Sequence, residues 1–336
     1  MKHADLSSQR HECGNKARFP LLSLLVLATP VVLFLCVLVG AVPLDLRDWH
    51  NPAVQAIIML RAGRIACSFM VGAGLACSGV VLQALLRNPL ADPYVLGVSS
   101  GAALGAAAAI ILGLSGMWSV PFCAFAGAIA VLAIVLFLAC RGGIANIYGL
   151  LLSGVIVGSI CSSVLMLIIS LAPLEGLHNI TWWMLGNLQV RSFPLLTTGS
   201  LLVAAGFVFI WLMARQLNAL ALGREMAHYL GVPTGAFIAG AVGLATLTTA
   251  AAVALAGLIG FVGLIIPHLM RLLAGPDHQR LVPASALAGG LFLVICDTAA
   301  RTIFAPVEIP VGVITALIGG PFFLVLLRRR SGGWFG

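Results

Sequence analysis

Charged residues are scarce in this chain of 336 residues, and only 10 of them are acidic. Charged side chains make up 8% of the sequence, against roughly 25% in an ordinary globular domain. Hydrophobic residues account for 61%, and the mean hydropathy is +1.12. A soluble protein of this length needs many more polar side chains to cover its surface. The composition therefore excludes an ordinary soluble domain and predicts a polytopic membrane protein.

Lysine is nearly absent, since Lys2 and Lys16 are the only two in the sequence. A phosphate-binding P-loop needs a lysine after its glycines, and neither of these follows a glycine-rich loop. We therefore expect a transport subunit rather than an enzyme, with no cofactor in this chain. If the protein is a pump, ATP and Mg are used by a separate ATPase subunit at its cytoplasmic face.

Acidic residues are also missing from the apolar stretches, apart from Asp297. This residue lies near the outer end of its stretch, four positions before Arg301, where an ion pair would neutralise it. A transporter driven by protons or sodium usually needs titratable groups in the middle of the membrane. An ion-coupled secondary transporter thus stays only as an alternative, and no selectivity-filter loop or acidic ring suggests a channel.

The remaining chemical signals are weak. Gly97-Val98-Ser99-Ser100-Gly101 matches the G-x-S-x-G pattern of serine hydrolases, but it opens an apolar helix instead of joining a strand to a helix. His3, His11 and Cys13 do not have the spacing of a closed zinc site. The basic residues are spread singly between apolar segments, which does not suggest a nucleic-acid partner. We expect no catalytic residue and no metal site.

Uncharged stretches long enough to cross a membrane dominate the sequence. Spanning the hydrocarbon takes roughly 20 apolar residues. They predict an all-α bundle of about ten transmembrane helices, with a break near Gly113 to Pro121 and two helices between 226 and 270. The predicted spans lie in 19–44, 65–86, 93–140 (two), 142–174, 192–214, 226–270 (two), 281–303 and 309–327.

The positive-inside rule supports this count. With ten spans, thirteen lysines and arginines fall on one side and five on the other. We therefore predict that both termini are cytoplasmic. The chain divides into a basic cytoplasmic tail (1–18), one transmembrane domain (19–328) and a short cytoplasmic C-terminal tail (329–336). Pairs of small residues one turn apart, such as Gly72 with Ala76 and Gly101 with Gly105, indicate closely packed helices.

Three segments look functional. Two X-Pro steps between Arg87 and Pro93 predict a short, stiff turn. Residues 217–232 carry leucines beside charged residues and predict a short amphipathic helix at the cytoplasmic face. Glycines between Ala256 and Arg271, followed by Pro267, indicate tight packing and a kink.

Together these segments resemble the permease subunits of type II ABC importers for ferric siderophores, haem and cobalamin, the FecCD type. The resemblance runs from about Leu46 to Arg328. It rests on five motifs: the two arginines at 61 and 64, NPLADPYVLGVSSG ending at Gly101, LGREMAHYLGV at 222–232, GFVGLIIPHLMR at 260–271 and EIPVGVITALIGGPFF at 308–323.

The resemblance implies a homodimer with a translocation path at its axis, lying in the bacterial inner membrane among lipid. It also implies two ATPase subunits and a periplasmic substrate-binding protein as partners. A ferric siderophore is favoured as cargo because such members are numerous, with haem or cobalamin next. Another metal complex or an oxyanion is the alternative.

The resemblance also implies roles for individual residues. The segment expected to couple to the ATPase contains Leu222, Gly223, Arg224, Glu225, His228, Leu230 and Gly231. Docking of the binding protein is expected at Arg61, Arg64 and Arg301, although these could instead be membrane anchors paired with Asp297 or Glu308. The cytoplasmic gate is expected at Asn88, Pro89, Leu90, Asn146, Ile147 and Tyr148. The last three depart from the hydroxyl-rich pattern of the cobalamin member, so its substrate is not carried over.

Overall fold

A computed structural model describes residues 19–42, 50–114, 116–141, 144–145 and 147–330, which are almost entirely helical. The helices are α1 (Phe19–Leu38), α2 (Pro52–Leu85), α3 (Val98–Ile111), α4 (Ser119–Ala139), α5 (Ile147–Leu171), α6 (Leu174–Met184), α7 (Phe193–Leu212), α8 (Ala214–Ala221), α9 (Arg224–Tyr229), α10 (Thr234–Ala256), α11 (Val262–Ala274), α12 (His278–Thr302) and α13 (Val311–Arg330). A 3-10 turn covers Pro93–Leu96, and β1 (Cys140–Arg141) pairs antiparallel with β2 (Ile144–Ala145).

Seven of these helices, α1, α2, α4, α5, α7, α10 and α12, are long and apolar enough to cross a membrane. Three shorter apolar helices, α3, α11 and the first part of α13, occupy the other predicted spans. Each of the ten predicted spans thus corresponds to one apolar helix, and the breaks within 93–140 and 226–270 fall where they were expected. The prediction of an all-helical polytopic bundle is confirmed.

Two elements differ from the prediction. Helix α2 begins at Pro52, well before residue 65, because the Asn51 side chain accepts a hydrogen bond from the Ala53 N–H (3.0 Å) and caps the helix. Its first turns therefore carry Arg61 and Arg64 inside a helix. Helix α6 was not predicted, because it is too short to span a membrane and contains several polar residues.

Helix α2 is the centre of the bundle and packs most extensively against α12. Small residues make this approach possible. A Cβ placed on Gly289 of α12 would lie 2.6 Å from the Ala76 Cβ and 2.6 Å from the Gly72 carbonyl oxygen. The predicted packing role of Gly72 and Ala76 is therefore confirmed.

The helices alternate between two ends of the bundle, which we call the Glu308 end and the Gly223 end. At the Glu308 end, the Gly312 N–H donates to the Leu185 carbonyl (3.1 Å) and the Asn187 N–H to the Ala256 carbonyl (2.7 Å). At the Gly223 end, the Trp211 indole N–H donates to the Gln279 carbonyl (3.1 Å).

This alternation places the start of α1 and the end of α13 together at the Gly223 end, because the far end of α1 meets Arg61 at the Glu308 end. The arrangement agrees with an even number of spans. That the Gly223 end faces the cytoplasm stays a prediction.

Candidate functional site

The segment predicted to couple to an ATPase forms two short helices, α8 and α9. The prediction of one amphipathic helix over 217–232 is wrong, because Gly223 has φ +131° and ψ 152°, a conformation that interrupts a helix and that side-chain-bearing residues avoid. Leu217 and Leu220 of α8 are buried in the bundle. The chain then turns outward into α9.

Helix α9 presents large apolar side chains to the surroundings. Leu222, Met226, Tyr229 and Leu230 are 51–84% exposed, and Glu225, His228 and Gly231 are exposed beside them. Arg224 is half-buried. Ala227 and Val232 are buried and hold this segment against the bundle. Such a protruding apolar surface at the end of a helical bundle fits a protein or lipid partner.

A hydrogen-bonded junction, not singled out by the sequence patterns, anchors α8 to the start of α12. The Asn218 amide nitrogen donates to Asp277 Oδ1 (2.7 Å). Its amide oxygen accepts from the His278 backbone N–H (2.9 Å) and lies 2.7 Å from His278 Nδ1. Asp277 Oδ1 also caps α12 by accepting from the Gln279 N–H (3.1 Å). A lone Asn on a short amphipathic helix is too common to have revealed this contact.

The turn predicted as part of the gate is stiffened by its own side chains. Asn88 Oδ1 accepts from the Leu90 N–H (3.0 Å), and Asp92 Oδ1 accepts from the Tyr94 N–H (2.8 Å). Burial raises the pKa of Asp92 above its ordinary value, although the Tyr94 N–H opposes this. Asn88 is exposed, and Pro89 and Leu90 are half-buried.

The second predicted gate element begins α5. Asn146 lies outside the described residues, Ile147 is half-buried and Tyr148 is exposed. The turn meets α5 further along this helix, where a Cβ on Gly154 would be 2.9 Å from the Leu96 Cα. The gate role of all six residues stays a prediction.

The three arginines predicted to dock a binding protein make contacts within the subunit at the Glu308 end. Arg64 bridges two carboxylates, with Nη2 2.9 Å from Asp297 Oδ1 and Nη1 2.9 Å from Glu308 Oε2. Arg301 Nε lies 3.2 Å from Asp297 Oδ2, which is the expected i,i+4 pair. Arg61 donates to backbone carbonyl groups at the end of α1 and just beyond it, including the carbonyl of Leu38 (3.1 Å).

These contacts match the anchor alternative for Arg64 and Arg301. Arg61 and Arg301 are buried, and Asp297 is fully buried. Glu308 lies in the loop before α13 and also accepts from Gln189 Nε2 (3.2 Å). Partial burial raises the pKa of Glu308, but the hydrogen bond and charge of Arg64 outweigh it, so the net shift is downward. A role of these arginines in docking stays a prediction.

A cavity of about 920 Å³ opens at the same end. It is lined by the end of α3, the start of α4, helix α6, the loop after α6, the end of α10 and residues 307–311. Among the described residues, no group of three or more His, Cys, Asp and Glu side chains could hold a metal ion.

The apolar bundle thus has a protruding segment at its Gly223 end and a cavity beside ion-paired residues at its Glu308 end. The FecCD transport family matches residues 26–329. The chain belongs to this family. As a FecCD-family protein it is a transmembrane transport subunit and not an enzyme.

Individual relatives cover most of this FecCD-family chain. It is 38% identical over 301 residues to the hemin transport system permease protein HmuU of Yersinia pestis, covering 87% of this chain and 90% of HmuU. It is 45% identical over 272 residues to the cobalamin import system permease protein BtuC of Halobacterium salinarum, covering 81% and 73%.

One solved structure, described as an inward-facing conformation of a metal-chelate type ABC transporter, superposes with a TM-score of 0.84 at 32% identity. The superposition covers 92% of this chain and 98% of the other. The resemblance seen in the sequence motifs is thus confirmed over nearly the whole chain.

Proposed function

We propose that this protein is the permease subunit of an ABC importer that moves a bulky metal chelate from a periplasmic binding protein to the cytoplasm. It would work as a homodimer in a bacterial inner membrane, with two ATPase subunits docked at its Gly223 end. ATP and Mg would be used by those subunits, and transport would follow ATP-driven alternating access.

The exposed helix α9 carries this proposal. Its apolar side chains protrude at one end, while Asn218, Asp277 and the start of α12 hold the base of the segment in place. A helix that offers an apolar face is suited to a groove on a partner protein. Movement of that partner would therefore reach the bundle through a fixed junction.

A row of hydroxyls on the outside of α5 supports a path between two copies of the chain. Ser159, Ser163 and Ser170 are exposed in a helix long enough to cross the membrane. Each hydroxyl donates to a carbonyl of its own helix, at 2.8, 3.0 and 2.8 Å. Serines of this kind suit a helix interface or a water-filled path better than a lipid-facing surface.

The nature of the cargo follows from the relatives. HmuU is named for hemin and BtuC for cobalamin, and the superposed structure is of the metal-chelate type. These names support haem or a corrinoid. A ferric siderophore stays a prediction, and another metal complex or an oxyanion is the alternative.

Reconstitution tests the function directly. The permease and its cognate ATPase are placed in liposomes, and uptake of a labelled chelate is measured with and without ATP and the binding protein. We expect uptake only when the ATPase, ATP and the binding protein are all present. Uptake that persists without the ATPase, or that follows an ion gradient, would contradict the proposal.

Charge reversal tests the coupling segment. The double variant Arg224→Glu with Glu225→Arg should lose most ATP-driven uptake and co-purify less ATPase, because its charges no longer complement the partner. Arg328→Glu reverses an exposed charge at the end of α13 and is the control. Full uptake by the double variant, or an equal loss in the control, would refute the coupling role.

A further inference from the structure

The cavity at the Glu308 end lies within a single subunit. Its volume of about 920 Å³ is in the range of ligand pockets, roughly 300–1,000 Å³. Helix α6 forms one wall, and the Arg64–Glu308 ion pair lies on another. Arg64 also forms an ion pair with Asp297 of the neighbouring α12.

The lining combines apolar and polar side chains. Ile110 and Leu255 contribute apolar surface, while Asn179, Asn187 and Gln189 contribute amide groups. Such a lining favours an amphipathic organic molecule, which would rest on apolar atoms and bind through hydrogen bonds at its edge.

Two aromatic side chains of α6 face this cavity together. His178 and Trp182 are one turn apart on the helix, and both line the cavity and are exposed. Their ring centroids are 5.9 Å apart with an interplanar angle of 59°. The indole offers a flat surface for stacking, and the imidazole offers a nitrogen that can bind a metal.

A single imidazole cannot hold a bare metal ion. Across the described ranges, no cluster of three metal-binding side chains accompanies His178. One nitrogen ligand is enough, however, for a metal that is already bound by an organic chelator and has one open position. A chelator that saturates its metal would gain nothing from this residue.

We propose that the cavity binds a metal chelate whose chelator is a flat aromatic macrocycle and whose metal has an open axial position. The imidazole lone pair of His178 would form a bond to the metal at this position and displace the water molecule bound there, with no change of oxidation state. Trp182 would stack on the macrocycle. This proposal rests on the proposed function, narrows its cargo to one class and adds a site lined by residues of this chain.

Binding of iron(III) protoporphyrin IX to the purified full-length chain in detergent tests the site. We expect a shift of the Soret band as the imidazole replaces water on the iron. Metal-free protoporphyrin IX, followed by its fluorescence, reports stacking alone. A ferric hydroxamate chelate with all positions filled should compete weakly.

Three variants assign the contributions. His178→Ala should abolish the Soret shift while metal-free protoporphyrin still binds. Trp182→Ala should weaken binding of both porphyrins about two- to tenfold, as expected for loss of an aromatic contact. His50→Ala removes an exposed histidine at the same end but outside the cavity, and should leave both signals unchanged.

An unchanged Soret shift in His178→Ala, or an equal loss in His50→Ala, would overturn the proposal in favour of adventitious binding. Strong competition by the saturated hydroxamate would overturn the assigned substrate class. ATP-driven uptake of that hydroxamate in liposomes would leave the importer function standing while the site fails. Absence of all ATP-driven uptake, with the Soret shift intact, would instead refute the proposed function.

Discussion

At the scale of single residues, the buried carboxylate of Asp297 is the group in the described structure that most needs charged partners. It lies in a helix long enough to cross the membrane and is fully buried. Two guanidinium groups, from Arg64 and Arg301, surround it. A buried charge without partners is far more costly than an exposed one. The two arginines therefore stabilise the fold by compensating the charge of Asp297.

Removing one of these partners should be strongly destabilising. We expect Arg64→Ala to lower the free energy of unfolding by about 3 kcal/mol, because Asp297 then keeps only one ion pair. Arg191→Ala, which removes an exposed arginine at the same end, is the control and should change it by no more than about 0.5 kcal/mol. Denaturation in detergent measures both.

The double variant Arg64→Ala with Asp297→Asn separates charge burial from lost packing. If the uncompensated charge is the cause, the second change should recover part of the stability lost in Arg64→Ala. No recovery would mean that the packing of the arginine side chain is what matters.

Asp92 allows a test of pH dependence at the gate turn. Its pKa is raised by burial, so ionisation in the folded protein is unfavourable. Stability should therefore be greatest where Asp92 is protonated and fall as the pH rises from the ordinary aspartate value, about 3.9, through the raised pKa.

We expect Asp92→Asn to remove this part of the pH dependence, since the amide oxygen can still accept from the Tyr94 N–H. The difference in melting temperature between variant and wild type, measured from pH 4 to 7, should grow with pH in favour of the variant. Asp277→Asn is the matched control, because it makes the same substitution at a different helix cap, the start of α12. A difference that stays constant with pH would contradict the assignment.

At the scale of elements, the break between α8 and α9 depends on one backbone conformation. Gly223 has φ +131°, where a side chain is strained, and the adjacent Arg87 Nη2 would be 3.1 Å from an added Cβ. A residue with a side chain at this position would either be strained or force a different path between α8 and α9.

Gly223→Ala should therefore cost about 1–3 kcal/mol of strain, or displace α9. In either case we expect reduced capture of the ATPase, measured by co-purification. Gly240→Ala is the control, because this helical glycine has open space around it and alanine favours helices by about 1 kcal/mol. Normal ATPase capture by Gly223→Ala would show that the break is not needed.

At the scale of the whole molecule, α12 connects the two ends. It begins at the junction with Asn218 at the Gly223 end and carries Asp297 and Arg301 at the Glu308 end. We expect this continuous helix of 25 residues to move as one unit. Movement of α8 and α9 would thus reach the ion pairs beside the cavity at the Glu308 end.

Loosening this junction should uncouple the ends without unfolding the bundle. We expect Asn218→Ala to lower stability by about 1–3 kcal/mol and to reduce chelate uptake per ATP hydrolysed. Asn218→Asp should be worse, because its carboxylate would face Asp277 Oδ1, now 2.7 Å from the Asn218 nitrogen. An unchanged ratio of transport to hydrolysis in both variants would rule out this connection.

Much of the molecule could be predicted from composition and spacing. Apolar stretches located the ten helices because the membrane imposes a length on each span. Motif resemblance predicted a coupling segment at 222–231 and a gate at the turn after α2, and both roles stay predictions. It did not reveal α6 or the contact of Asn218 with Asp277, and it left open whether Arg64 pairs with Asp297 and Glu308 or faces a partner.

The sequence by itself determined that this chain lies in a membrane, because 8% charged residues cannot cover a soluble surface. It also placed the break between α3 and α4, but not the break at Gly223. Only the tertiary structure decided that the arginines at 61, 64 and 301 turn inward, that Asn218 meets the start of α12, and that α6 closes a cavity. Those contacts depend on how helices pack against each other, and side-chain identity alone does not specify packing.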